Sequence, residues 1–370
     1  MIYIVYPSKT RRGTYHYSIK LLSLISSSGL PVKLLQPTST LPPILWELLL
    51  PFILRPKSSA TYVFTTGRVS PLFCLFPCNK TLVIHDFFRS SPSHSSVHSI
   101  PTLLEYLVSV YHWFLSEVAI LLKPIYILSN SYQTKKHLVA RYPNATTNSS
   151  VLYPPPSFTS SDIDSFRTNL SAHYLYSNPQ SFLFVTGRTP NKGFPLALHF
   201  ILTSLNAYTT HIVGIRIPST TNPCIQSAID PDSISHSQTN LIYHSTLTQR
   251  SLLSLYSSCT FSLCLSLDEG FGIPFLDSLL FNIPTIVRDI PIYREVYTTV
   301  QTYLGVDHIQ PFWIGSSVDH RDLNRYIQHY SQDPSLLKRL SHYQENLVRL
   351  HDLYETQYSA FIHRTVPNLH

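Results

Sequence analysis

The chain has 370 residues, 28 of them proline and only 10 glycine, with 44% hydrophobic and 13% charged residues. Such a composition excludes collagen-like, glycine-linker and glycine-repeat proteins, and the ordinary apolar fraction excludes long-range disorder. The net charge of +7 is lopsided: residues 1–155 hold 14 Lys and Arg against 4 Asp and Glu, and the remainder 13 against 16. A basic first half points to an anionic partner there, a phosphate or an acidic membrane surface, or to a plain solvated basic face. No recognised nucleic-acid module accompanies it, so no nucleic-acid partner is expected.

In chain order, YIVY (3–6) reads as a strand and precedes a helix near 14–28. The first apolar run comes before the basic residues, the reverse of a secretory signal, and no stretch of ~18 apolar residues offers a membrane span. LPPILWELLLPFILRPK (41–57) is apolar, broken by prolines and ends in Arg55 and Lys57. TYVFTT (61–66), TLVIHD (81–86) and IYILSN (125–130) read as short buried strands, and 97–122 has the spacing of a core helix. Residues 142–164 are rich in Pro, Ser, Asn and Thr and read as a linker.

The alternation then restarts with SFLFVTG (181–187), HIVGIRI (211–217), LIYHS (241–245), TFSLCLSL (260–267) and PTIVRD (284–289), interrupted by a polar loop at 218–240. From Leu336 the tail has helical spacing, with Leu340, Tyr343, Leu347, Leu350, Tyr354, Tyr358 and Phe361 as its stripe. The expected fold is therefore α/β, two doubly wound parallel-sheet domains with a cleft between them. Their expected bounds are 1–155 and 156–335, with a tail at 336–370 crossing back to the first domain. Five cysteines form no paired framework; Cys259 and Cys264, in or beside an apolar run, read as buried thiols. A reducing, cytoplasmic setting is expected.

The richest chemistry lies in SLDEGFGIPFLDSLLFNIPTIVRDIPIYREV (266–296). Gly270 and Gly272 separate a buried strand from a helix opening near Pro274, which directs the amides of Phe271, Gly272 and Ile273 at an anion. Glu269 enters just before this loop and Asp277 lies one turn into the helix, two carboxylates able to accept hydroxyl hydrogen bonds. The second element is FLFVTGRTPNKGF (182–194), where Gly187 ends a strand and Arg188 and Lys192 follow. An Arg fork and a Lys point charge suit a leaving diphosphate.

EGFGIPFLD followed by NIPTIVRDIPIYREV resembles the signature of retaining glycosyltransferases of the family-4 type (glycosyl transferases group 1). GRTPNKG, the His-Asp of TLVIHD, SNSYQTKKHL (129–138) and LTQRSLLSLYSSC (247–259) match in family order. The resemblance implies the GT-B fold, two Rossmann-like domains, with the nucleotide-sugar donor in the second and the acceptor in the first. It implies that Arg188 and Lys192 grip the donor diphosphate with the amides after Gly270, and that Glu269 contacts the transferred sugar. Asp277 stands where the family carries a second glutamate that contacts the ribose. His85 would touch sugar or acceptor and Thr246 would approach the base. The first loop, SKTRRGT, keeps only Gly13 of the family's usual glycine pair and is more basic through Lys9, Arg11 and Arg12.

The implied activity is transfer of a sugar from a UDP- or GDP-sugar to a hydroxyl of a glycan, lipid-linked or protein-linked acceptor, with retention. A nucleotide-sugar epimerase on the same fold and a degenerate glycan- or anion-binding relative are the alternatives. No cofactor and no metal are expected: Asp162-Ile163-Asp164 reads as a helix cap and Asp230-Pro231-Asp232 sits in the polar loop. His94 and His98 lack an obvious third ligand. The apolar 41–57 segment in a basic half adds an expected peripheral contact with an anionic membrane.

Overall fold

The structure is a computed structural model. It describes residues 1–6, 13–37, 43–66, 69, 71–85, 114, 117, 120–121, 125–145, 147–168, 181–187, 189–205, 208–215, 240–304, 308–315, 318–331 and 336–365. Most of the helix expected at 97–122, nearly all of the loop at 218–240, and Lys9, Arg11, Arg12, Asp86, His94, His98 and Arg188 lie outside the described residues. The chain divides into two compact units, Met1–Pro155 with Asp352–His370, and Pro156–His351.

The first unit holds a six-stranded sheet in the order β2-β1-β3-β4-β5-β6, all parallel. Its strands are β1 Ile2–Val5, β2 Val32–Leu35, β3 Thr61–Phe64, β4 Asn79–Ile84, β5 Ile125–Ser129 and β6 Ser149–Val151. Helices α1 (Gly13–Ser27), α2 (Pro43–Leu54), the short α3 (Pro71–Cys74) and α4 (Tyr132–Arg141) connect them. Strand alternation sorts β1 onto two cores. Ile2 and Ile4 join Tyr17, Leu21 and Ile25 of α1 and Phe361 of the C-terminal helix, while Val5 faces Trp46 and Leu50 of α2. Each such fully buried side chain contributes about 1.5–3 kcal/mol. A buried hydrogen-bond chain, Ser18 Oγ to Thr65 Oγ1 (2.7 Å) and on to the Val5 carbonyl (3.2 Å), ties α1 to the sheet.

The second unit opens with α5 (Ser160–Thr168), started by a capping box: Asp162 Oδ2 accepts from Thr159 N at 2.7 Å and Asp162 N donates to Thr159 Oγ1 at 3.2 Å. Its sheet runs β12-β11-β10-β7-β8-β9, again all parallel. The strands are β7 Ser181–Val185, β8 Thr209–Val213, β9 Asn240–His244, β10 Phe261–Cys264, β11 Thr285–Arg288 and β12 Phe312–Ile314. The strand order reverses between β7 and β10, which pair directly through Phe182↔Phe261 and Phe184↔Leu263. Helices α6 (Phe194–Ser204), α7 (Gln249–Ser258), α8 (Ile273–Leu280), α9 (Pro291–Val300) and α10 (His320–Tyr330) complete the doubly wound pattern.

The tail is two helices, α11 (Leu336–Arg349) and α12 (His351–Thr365). The first belongs to the second unit, where Leu340 and Tyr343 are buried and the fully buried Arg339 donates to the carbonyls of Cys259 and Thr260, just past the end of α7. The second belongs to the first unit, where Tyr354 OH donates to the Pro154 carbonyl at 3.0 Å. Within the stretch read as a linker, residues 149–151 form an edge strand, because backbone pairing with β5 and burial of Ser149 and Val151 override a polar composition.

Candidate active site

Two loops of the second unit leave the carboxyl ends of β7 and β10, the strands between which the order reverses. In open α/β sheets that is where ligands bind. The β7 loop carries Gly187 and then a 3₁₀ turn, Pro190–Lys192, ending at Gly193. Gly193 has φ +55°, and a Cβ there would lie 2.5 Å from Cγ of Leu267 in the β10 loop. The close approach is sealed by hydrogen bonds. The Asn191 carbonyl accepts from Leu267 N (2.8 Å) and Asp268 N (3.0 Å), and Asn191 Nδ2 donates to the Asp268 carbonyl (3.0 Å).

This zipper brings Lys192 and Glu269 together. Lys192 Nζ forms an ion pair with Glu269 Oε1, which also accepts from Ser266 Oγ at 2.8 Å. Their side chains are 24% and 10% exposed, so the pair is screened from bulk water yet within reach of a ligand. Three residues later Gly272, at φ +85°, caps α8; its carbonyl accepts from Phe275 N (2.9 Å) and Leu276 N (3.2 Å). Ile273 opens the helix with an amide that has no intrahelical acceptor, at the positive end of the helix dipole, and Pro274 behind it has no N–H to leave unpaired. Gly270 is half-buried and Phe271 is buried beside them. A Lys, a Glu and a helix N-terminus on two adjoining loops can hold a diphosphate and accept hydrogen bonds from hydroxyls.

The surroundings are dry. Burial, then the charge of Glu269, pushes the Tyr293 hydroxyl well above its ordinary value, and the same two causes raise the Cys264 thiol. Cys264 and Cys259 are buried free thiols. Ser266, Asn191 and Tyr293 were not among the residues expected from sequence, although all three lie inside the motifs that drew attention to the site.

The Asp277 carboxylate is packed inside the unit: the residue is 1% exposed, and Oδ1 accepts from Ser157 N at 3.0 Å and Tyr343 OH at 3.4 Å. One turn into the helix, it faces the chain segment entering the unit and α11, and it fastens both to α8. Asp277→Ala leaves the part-buried Ser157 amide without its acceptor, while Tyr343 OH keeps the Phe158 carbonyl at 3.2 Å, a loss of about 2 kcal/mol. We expect the melting temperature of the second unit to fall by about 4–8 °C with nucleotide affinity unchanged. A tenfold affinity loss at unchanged melting temperature would restore the ribose role.

Thr246 is exposed in the loop between β9 and α7, and Arg188 lies outside the described residues. Gly13 and His85 belong to the first unit. Gly13 opens α1. His85 follows β4, with Nε2 donating to the Thr65 carbonyl at 2.8 Å and Tyr17 edge-on at 4.9 Å. Among the described residues no group of three or more His, Cys, Asp or Glu could hold a metal ion. Nor is any helix among them long and apolar enough to cross a membrane.

Two parallel doubly wound units with this site define the GT-B class of fold. Residues 168–347, nearly all of the second unit, match the family described as Glycosyl transferases group 1. The chain is 33% identical over 89 residues to the O-antigen chain mannosyltransferase RfbU of Salmonella typhimurium (strain LT2), a match spanning 24% of this chain and 22% of the relative. Among solved structures it is similar to WaaG, a glycosyltransferase involved in lipopolysaccharide biosynthesis (TM-score 0.60, 13% identity, covering 99% of this chain and 100% of that one). It is also similar to HepE of Anabaena in complex with UDP and glucose (TM-score 0.59, 13% identity, covering 97% and 98%).

Proposed function

We propose that the protein is a retaining, metal-independent glycosyltransferase. It moves a sugar from a UDP- or GDP-sugar to a hydroxyl of a glycan, lipid-linked or protein-linked acceptor, on the cytoplasmic side of a membrane that it touches peripherally. The observation that carries this reading is the Lys192–Glu269 pair beside the Gly272-capped helix, on the two loops at the strand-order reversal. The UDP and glucose named with HepE and the mannosyltransferase named in RfbU support it.

In this reading the donor diphosphate displaces Glu269 from Lys192 and takes the ammonium together with the Ile273 amide that opens α8. Arg188, in the same loop by sequence, adds a bidentate contact. Glu269, released, accepts hydrogen bonds from hydroxyls of the transferred sugar. The developing charge on the leaving diphosphate is met by donors already in place, the kind of stabilisation that dominates many enzymes. The acceptor hydroxyl attacks the anomeric carbon on the face from which the diphosphate departs, and a leaving phosphate oxygen takes its proton. The basic first unit, with His85 and the loop before Gly13, takes the acceptor.

A thermal-shift screen against UDP, GDP and their sugar conjugates, with and without EDTA, tests the donor half. We expect one base to stabilise the protein, by about 2.7 kcal/mol at a hundredfold excess over Kd, and EDTA to leave the shift unchanged. No shift with any of them would sink the assignment. Conversion of a nucleotide sugar in the absence of any acceptor would reassign the site to an epimerase.

A further inference from the structure

Helix α2 is apolar almost throughout, PILWELLLPFIL, yet its described side chains divide between buried and exposed ones. Trp46 and Leu50 enter the core, while Leu49, Phe52 and Ile53, spaced i, i+3 and i+4, face solvent, with Phe52 61% and Ile53 52% exposed. Packed on α2 is α3, which shares that core through Phe73 and exposes Leu72; Leu75, one residue past its end, is 79% exposed. A helix of ordinary design would place polar residues on that side. Large exposed apolar side chains gathered on two neighbouring helices mark an interaction surface.

The charges beside it select the partner. Arg55 closes α2 with a left-handed backbone (φ 46°), its N–H donating to the Pro51 carbonyl at 3.0 Å, at a position that ordinarily favours glycine. Lys57 follows, and both residues are exposed. From residue 48 to residue 85 the chain contains no Asp or Glu. The helix dipole accounts for a cation at this end of α2, but not for the apolar side chains left in water next to it.

We infer that the α2–α3 face, with Phe52, Ile53 and Leu75 inserted and Arg55 and Lys57 at the headgroups, docks the protein on an anionic lipid bilayer. The inference rests on the membrane-proximal part of the function proposed above and names the surface that performs it. Apolar side chains buried at the headgroup–acyl boundary, flanked by basic residues that meet lipid phosphates, are the chemistry of an interfacial helix. A second copy of this chain is the poorer occupant. A two-fold contact would bring Arg55 and Lys57 of both copies to one interface, like charge against like.

The test is co-sedimentation of the full chain with phosphatidylcholine vesicles, with and without phosphatidylglycerol. Wild type is expected to sediment with the anionic vesicles at least about tenfold more strongly than with neutral ones, and less so as salt rises. Phe52→Glu/Ile53→Glu/Leu75→Glu, all at exposed positions, should lose that binding with its melting temperature and nucleotide-induced shift intact. Arg55→Glu/Lys57→Glu should lose it about tenfold as well. Wild type left in the supernatant, or sedimentation undiminished in the triple variant, overturns the inference. So does a concentration-dependent dimer that the triple variant disperses in protein that binds no vesicles. A retained nucleotide shift without vesicle binding would fault only the docking surface; vesicle binding without a nucleotide shift would fault only the donor site.

Discussion

Glu269→Gln is expected to lower kcat about 10²–10³-fold, with little change in the Kd of the free nucleoside diphosphate. The substitution is isosteric and keeps an oxygen for Ser266, so the loop and its melting temperature should hold. What it removes is the negative charge that balances Lys192 and, in the proposed mechanism, orients the sugar hydroxyls. Lys192→Ala should behave differently. It removes the cation from the diphosphate, so nucleotide affinity and kcat fall together. It also leaves a 10% exposed carboxylate without its partner, at a cost of about 1–3 kcal/mol in the folded state. The split between the two variants is the informative result: one loses turnover, the other turnover and binding. Steady-state rates with the donor found in the thermal screen, paired with calorimetric nucleotide affinities, measure it. Turnover within threefold of wild type in both variants would remove the pair from the mechanism.

The central strands of the second unit were legible in sequence because they are largely buried apolar runs bounded by loop residues. SFLFV and FSLC have no exposed position, so continuous hydrophobicity marks them without any need for alternation. The edges were harder. Val32–Leu35 pairs on one side only and includes exposed Lys33, Ser149–Val151 is two serines and a valine, and Phe312–Ile314 has three residues. Their strand character comes from a neighbour that no local window contains. The site divides in the same way. Glycine and lysine are readable as residue types that suit a diphosphate, and glutamate as one that suits hydroxyls. Their meeting is not, since Lys192 and Glu269 are 77 residues apart and are joined by backbone hydrogen bonds of Asn191 that depend on β7 lying beside β10.

The surroundings of Asp277 were hidden from the sequence for another reason. Residues Phe275 to Leu280 of α8 are all buried, so the helix has no polar face on which to place a carboxylate from periodicity alone. A spacing that matches the family's second glutamate then reads as a ligand contact, whereas the shorter side chain is spent on Ser157 and Tyr343.

Gly272→Ala should be the most damaging single methyl group in the second unit. At φ +85° an alanine pays a backbone penalty of about 1–2 kcal/mol. Its Cβ would also stand 2.5 Å from Cε1 and 3.0 Å from Cδ1 of Tyr293. That ring is 3% exposed and packs at 5.1 Å on Phe275, so it has no room to retreat. Overpacking adds about 1–3 kcal/mol, and the total of roughly 2–5 kcal/mol should lower the melting temperature of the unit by about 4–20 °C. Function should suffer further, because Gly272 both caps α8 and sets the direction of the Ile273 amide. Relaxing the strain by rotating the peptide turns that donor away from the proposed diphosphate position. Nucleotide affinity should therefore fall even in the population that stays folded, read by titration well below the melting temperature. Tyr293→Ala isolates the two contributions. In the Gly272→Ala background it removes the collision and should cost less stability than it does in wild type, while the backbone penalty persists and nucleotide affinity stays low. A melting temperature within 2 °C of wild type, with affinity unchanged, would show that the helix opening is not set by this glycine.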